Sequence, residues 1–410
     1  MSWKKHFRLF LYKEIVLLDN IFMNIINVLN EGVISNKEID QTKLLQSLFD
    51  RCKSNGGKII FPKGDYLFSS LYVYSNTIVY LEKGARLFGS RNIDDYILFP
   101  IPKGMEMHCD MQMIPEYYKN REIPNYRKAL FTAYLEHDIS FIGEGDSFIN
   151  GQNCVDLEGE EGYRGPHGLF LSNCRNILFD NFTISDCGNF AFQLDTCRNV
   201  VAKRIHCVAG SDGFHLHECV ETLIEDCNFE TGDDCIAGIN IDRLHVNRCK
   251  FNTSCDVFRM GGNNILVENS NVYGPGIYPH RKTIFVDKNH FLPINEGRHN
   301  TICLFIYFAS IAHPAKKDSD NIIFRNVNVK DVDMFLVYNP NCDDLKYLQN
   351  GNDLVEITLD NVHFSGLKEP CNLDNKGHKK LTLKCHNVST NIPFFRSLDN
   401  VEIIDLKKYI

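Results

Sequence analysis

Between Cys197 and Gly262 the chain repeats itself. The segments CRNVVAKRIHCVAGSDGFHLHE, CVETLIEDCNFETGDDCIAGIN and IDRLHVNRCKFNTSCDVFRMGG, laid over one another, put Asp212, Asp234 and Asp256 in one column at successive spacings of 22 residues. Asp233 stands beside that column, and a backward step of 23 residues brings Asn189 into it. A period of this size marks a solenoid, in which each repeat is one supersecondary unit stacked on the next. In a coiled β-structure, equivalent residues of adjacent turns lie about 4.8 Å apart. Four carboxylates on one strip at that spacing repel one another, so their presence asks for a functional reason.

The rest of the chain fits the same plan. From Gly168 to Gly274 the repeats are regular, with Asn176, Asn199 and Asn264 near their turns, where an Asn side chain bonds to backbone. Cysteines fall in rows (Cys174, Cys197 and Cys219; Cys187, Cys207, Cys227 and Cys249), as stacked interior positions would. Short runs rich in Ile, Val, Phe and Tyr precede and follow this region, among them KIIFPKGDYLF and DNIIFRNVNVKDVDMFLVY, and read as strands. Asp40–Cys52 has Leu44, Leu45, Leu48 and Phe49 on one helical face, before Asn55-Gly56-Gly57 as a stop. Such a helix suits the cap of an open solenoid end. Residues 1–37 read as a leader and 38–410 as one domain, with irregular insertions near 91–128 and 275–300 that suit walls of a groove.

Bulk properties exclude several classes. The net charge is −8 with no basic block, which argues against a nucleic-acid partner. No apolar stretch is long enough for a membrane span. The start of the chain lacks a signal-peptide pattern, so a cytoplasmic setting is expected, with its sixteen cysteines as reduced core thiols. No CxxC pair suggests a metal site, and neither metal nor cofactor is expected. Oligomeric state is not readable.

Gly210-Ser211-Asp212-Gly213, followed by Gly232-Asp233-Asp234-Cys235-Ile236-Ala237, resembles the polygalacturonase-type glycoside hydrolases of family 28. Those proteins carry Asn-Thr-Asp-Gly and Gly-Asp-Asp-Cys-Ile-Ala on adjacent coils. The segments DQTKLLQSLFDRCKSNGGKIIFPKGDY and LEKGARLFGS are similar to the family's first coils, and the likeness is good over residues 38–275. It implies an all-β, right-handed parallel β-helix with a short N-terminal capping helix. It also implies an inverting, single-displacement hydrolase of a pectin-like oligosaccharide or polysaccharide. Asp233 matches the acid that protonates the leaving oxygen, and Asp212 and Asp234 match the pair that activates water. An inverting enzyme is expected to hold acid and base about 6.5–9.5 Å apart. Since successive strand residues face opposite sides, Asp233 and Asp234 share a groove only if Gly232 puts them at a corner.

The chain also departs from the family. Where the family carries Gly-His-Gly, this sequence has Ser254-Cys255-Asp256, and its Arg-Ile-Lys has no clear match. Substrate contacts are therefore sought at Asp256, Arg259, His215, His280, Arg281 and Lys282, with Arg259 either gripping a substrate carboxylate or pairing with Asp256. Of His215 and His217, one is expected to face the groove and one the interior. A cytosolic enzyme would receive imported fragments, which favours exo action behind a blocked groove. Two other readings stand beside the hydrolase: a glycan-binding or structural β-helix with an inert acidic column, and a metal-using lyase or epimerase of the same fold.

Overall fold

The computed structural model describes residues 24–98, 126–307, 309, 315–341, 352–371, 373 and 375–405. Most of the leader, including Trp3, and residues 99–125 of the first insertion lie outside the described residues.

Among the described residues, twenty-eight strands make one continuous sheet, wound as a right-handed parallel β-helix. Three parallel ladders run its length. Strands such as Val220–Glu225 pair with the equivalents before and after them, as do Asn228–Thr231 and Phe214–His217 on the other two faces. The alternation that forms each strand also fills the core. Phe192, Phe214, Ile236 and Phe258 occupy matching register positions and are fully buried. The rings of Phe192 and Phe214 stack with centroids 4.1 Å apart. Each such side chain contributes about 1.5–3 kcal/mol by leaving water. The cysteine rows are interior, as expected. Among the described residues every cysteine is a free thiol, and only Cys255 and Cys385 are not fully buried.

One corner of the coil has a constant form. Between the first and second strands of successive coils, a single residue turns the chain with left-handed backbone: Asn181, Arg204, Asp226, Arg248, Asn269, Asn326, Asn361 and Asn387, at φ between 49° and 60°. Asn tolerates that region better than most residues. Asn326 donates to Asn269, Asn361 to Asn326 and Asn387 to Asn361, at 3.0, 2.8 and 2.7 Å. The other two corners vary in length, and the insertion at 275–300 springs from one of them.

The capping helix forms over Thr42–Asp50, slightly shorter than expected, and buries Leu45, Leu48 and Phe49. Leu44 points outward instead, 37% exposed. The domain begins earlier than the sequence suggested. Asn24–Asn27 pairs with Gly57–Phe61, and Asn36–Asp40 pairs with Gly64–Phe68, so residues assigned to a leader belong to the first coil. Their polar, outward-facing composition at the solenoid's end hides the alternation that marks later strands.

Candidate active site

The aspartate column stands at one variable corner, where the second strand of each coil gives way to the third. Asp212 lies between His206–Ala209 and Phe214–His217; Asp233 and Asp234 lie between Asn228–Thr231 and Ile236–Asn247. Neither Asp233 nor Asp234 is in a strand, which resolves the facing problem. The Asp233 carbonyl accepts hydrogen bonds from the hydroxyls of Thr231, at 2.7 Å, and Thr253, so one coil and the next pin the corner. Gly232 is needed there, since a Cβ would sit 2.2 Å from the carbonyl oxygen of Pro279. Main-chain bonds from Gly213 to Asp234 and from Cys235 to Asp256 carry the corner upward from rung to rung.

One carboxyl oxygen from each of Asp212, Asp233 and Asp234 lies within 4.8 Å of the others. The expected acid–base gap of about 6.5–9.5 Å is not present between these nearest oxygens. The three side chains leave neighbouring positions of one corner and converge, rather than facing each other across a groove. All are buried, and Asp233 is the most accessible, with 13% of its side chain exposed against 3% for Asp212 and 1% for Asp234.

The surroundings treat the three unequally. Burial would push Asp233 up, but His280 and Arg164 outweigh it and hold its carboxyl well below the usual range. Arg164 Nη2 donates to Asp233 Oδ2 at 2.6 Å, and His280 Nε2 stands 3.4 Å from the same oxygen. Burial drives Asp234 well above the ordinary carboxylate range, reinforced by the charges of Asp212 and Asp233. Its Oδ2 is 3.7 Å from Arg259, and among the described residues its Oδ1 has no hydrogen-bond partner. Burial also raises Asp212, against a 2.9 Å contact with His215 Nδ1. The resemblance makes Asp233 the acid; its surroundings in the structure favour the ionised form of Asp233 and the neutral form of Asp234.

Of the residues expected to touch substrate, His280 and Arg259 reach the carboxyl cluster, Arg259 standing 3.7 Å from Asp234 while its charge also acts on Asp256. Asp256 extends the column and accepts from the thiol of Cys303 at 3.0 Å. His215 is instead a support for Asp212: its ring stacks on Phe190 with centroids 4.4 Å apart. His217 does not face the interior. Residues two apart in a strand share a face, so His215 and His217 point the same way and Leu216 between them enters the core. Arg281 is a correction. It is 1% exposed, and its guanidinium donates to the carbonyls of Cys187, Gly188, Asn153 and Cys154, so it fastens the 275–300 insertion to the coils and cannot bind substrate. Lys282 is at the rim, 3.2 Å from Glu161.

The sequence reading missed Arg164. It sits in a turn-rich segment, 7% exposed, and also contacts Glu161 at 3.2 Å and Asn189 at 3.3 Å. The charge run Glu158–Arg164 was the available signal. Asn189, which the period brought into the column, thus bonds the cation that holds Asp233. Cys255, in place of the family's His, lies beside Asp256, and burial together with the surrounding aspartates keeps it a thiol. Donor atoms of Asp233, Cys255 and His280 come within 4.8 Å of one another, as do those of Asp234, Cys255 and Asp256. A cation there would compete with Arg164 and Arg259 for the same oxygens.

Comparison with known proteins finds likenesses over the same coils. Residues 131–254, which hold Arg164 and the first three aspartates, match the glycosyl hydrolases family 28. A Vitis vinifera protein named "Probable polygalacturonase" is 25% identical over 221 residues, which are 50% of this chain and 42% of that protein. The chain spans less than two thirds of the length of each curated relative it matches. Among solved structures, the family 28 exopolygalacturonase of Yersinia enterocolitica shares the fold with a TM-score of 0.63 at 17% identity, over 93% of this chain and 77% of that one. The polygalacturonase of Erwinia carotovora ssp. carotovora does so with a TM-score of 0.66 at 14% identity, over 93% and 97%. By its aspartate-bearing coils and by the solenoid that carries them, this chain is similar to the glycosyl hydrolases of family 28.

Proposed function

We propose that the protein hydrolyses glycosidic bonds in an acidic, pectin-like oligosaccharide by single displacement with inversion. The observation that carries this reading is the convergence of Asp212, Asp233 and Asp234 within 4.8 Å, in surroundings that favour the ionised form of Asp233 and the neutral form of Asp234. Environments that push neighbouring carboxyls apart are how acid and base are sorted near neutral pH.

Asp233, the most accessible of the three, meets the glycosidic oxygen. Asp212 and Asp234 are too enclosed for a sugar carbon to approach, but a water can enter between them. Two hydrogen bonds of about 2.7 Å at a water's own angle span roughly 4.5 Å, which suits these oxygens. The short separation alone would suit a covalent glycosyl-enzyme, since retaining enzymes hold their carboxyls about 5–5.5 Å apart. The enclosure of Asp212 and Asp234 favours attack by water instead. The basic groups at the mouth, Arg164, His280 and Lys282, favour an anionic sugar over a neutral one. The insertion fastened by Arg281 stands over one end of the cluster, which supports cleavage from a chain end. The reduced thiols fit a cytoplasmic setting.

Asp233→Asn, Asp212→Asn and Asp234→Asn are each expected to lower kcat by at least about 100-fold on oligogalacturonides while the substrate still binds. Proton NMR of the first product anomer reads the stereochemistry. An intact wild-type protein that cleaves no acidic or neutral oligosaccharide would leave the glycan-binding reading. A product absorbing in the ultraviolet, lost on chelation, would establish the lyase.

A further inference from the structure

The acid has a difficulty that the hydrolytic reading leaves open. Asp233 is the carboxyl a leaving group can reach, yet the Arg164 guanidinium at 2.6 Å and the His280 ring at 3.4 Å from its Oδ2 favour its ionised form. Asp234, whose burial beside Asp212 and Asp233 favours the neutral form, is 1% exposed.

We propose that Arg164 is a positioning residue that couples the charge of the substrate to the protonation of Asp233: an anionic group entering beside Arg164 and His280 draws them from Asp233, which then accepts the proton it must donate. The inference rests on the hydrolase reading and gives it a condition, that the sugar at the cleavage point be acidic.

The geometry supports each part. Arg164 reaches the site from the segment before the regular coils, and its guanidinium lies 5.5 Å over the ring of Phe190 and 5.7 Å from that of Tyr163. Glu161 and Asn189 hold it from behind, so it can turn toward a second anion without leaving the site. His280 arrives from the insertion. The other ionisable groups around Asp233 are Asp212 and Asp234 at its own corner, Cys255 and Asp256 on the next coil, and Tyr163. Arg259 and Arg298 are the cations beyond these, and they act on Asp234, Asp256 and Cys255. Arg164 and His280 meet Asp233 Oδ2 directly, and a substrate carboxylate sharing them both weakens the hold and adds a like charge nearby. Each effect favours the neutral carboxyl.

The protons balance over a turnover. The Asp234 carboxyl passes its proton to the Asp233 carboxylate. Asp233 gives it to the glycosidic oxygen as the bond to the anomeric carbon breaks. The oxygen of the water bonds to that carbon, and one of its protons passes to Asp234. The product leaves the site as it began, with Asp233 ionised and Asp234 neutral. A neutral sugar binds the same protein but does not trigger the first transfer.

The test compares an oligogalacturonide with its methyl ester at the cleaved residue, in the wild type, Arg164→Gln and Arg164→Lys. The wild type should cleave the acid at least about tenfold faster, and the difference should lie in kcat rather than KM. Arg164→Gln should bring the two rates within about threefold, by lowering the acid's and raising the ester's, and should move the alkaline limb for the ester to higher pH. Arg164→Lys should restore most of the preference. The proposal is overturned if wild type shows the preference only in KM. It is also overturned if Arg164→Gln lowers both substrates by one factor with pH profiles unmoved, as for a merely structural arginine. Should Arg164→Gln not fold, the wild-type kcat comparison and Arg164→Lys decide. A wild type that cleaves neither substrate removes the hydrolase reading itself, a distinct result.

Discussion

A single buried carboxyl shows how this scaffold handles charge. Asp195, on the strand before the site, is fully buried; its Oδ2 accepts from Ser172 at 3.0 Å, yet burial pushes it up to about 7. A carboxyl whose folded value is raised stabilises the fold fully below its unfolded value, and that contribution is lost as the pH climbs through about 4 to about 7. By pH 8 the cost is up to about 4 kcal/mol. Asp212, Asp234 and Asp256 are raised too and act in the same sense. Denaturant unfolding of the wild type should therefore show lower stability at pH 8 than at pH 5, and Asp195→Asn should narrow the difference by about 2–4 kcal/mol. An unchanged difference would show that Asp195 keeps an ordinary affinity for its proton. At this scale the sequence was half legible. The aspartates could be found because a period of 22 residues aligns them. Arg164 could not, because it meets Asp233 across 69 residues from a segment without a period.

At the scale of elements, the insertion at 275–300 is the part that sequence reasoning located but could not interpret. His280 and Arg281 are neighbours with opposite fates, one at the carboxyl cluster and one buried among carbonyls. In a strand the period of two would have separated their roles; an irregular loop offers no such rule. The same limit explains the strands at residues 24–40, whose exposed polar faces hide their alternation, whereas the capping helix was plain from its apolar spacing. The fastening role of Arg281 has a measurable consequence. Arg281→Met removes a donor from four carbonyls, of which that of Gly188 keeps the N–H of Gly165, and should cost about 1–3 kcal/mol for each carbonyl left unsatisfied. It should also open residues 285–296 to limited proteolysis and, by releasing His280, lower activity. Intact resistance to protease would show that the insertion is held by other contacts.

Over the whole molecule, stability is a sum of coil-to-coil contacts with weak points at the ends. The helix Thr42–Asp50 closes one end by burying Phe49, whose ring lies 6.4 Å from that of Phe131. Phe49→Ala should cost about 3–5 kcal/mol. Hydrogen exchange should quicken in Gly57–Phe61 and Gly64–Phe68 while Phe214–His217 stays protected. Uniform loss of protection would mean that the solenoid unfolds as one unit. The constant corner has a consequence of a different kind. Asn326 and Asn269 bond at 3.0 Å although 57 residues separate them, while Asn387 and Asn361, at 2.7 Å, are 26 apart. The stack keeps its pitch however much chain is spent between rungs. With the Asn181-to-Asn387 edge fixed in form, extra length can be added only on the two edges that flank the Phe214–His217 face, beside the aspartates. Such a frame lets the walls of a cleft be lengthened, shortened or exchanged while its floor stays in place, so one set of carboxyls can be fitted to glycans of different shape.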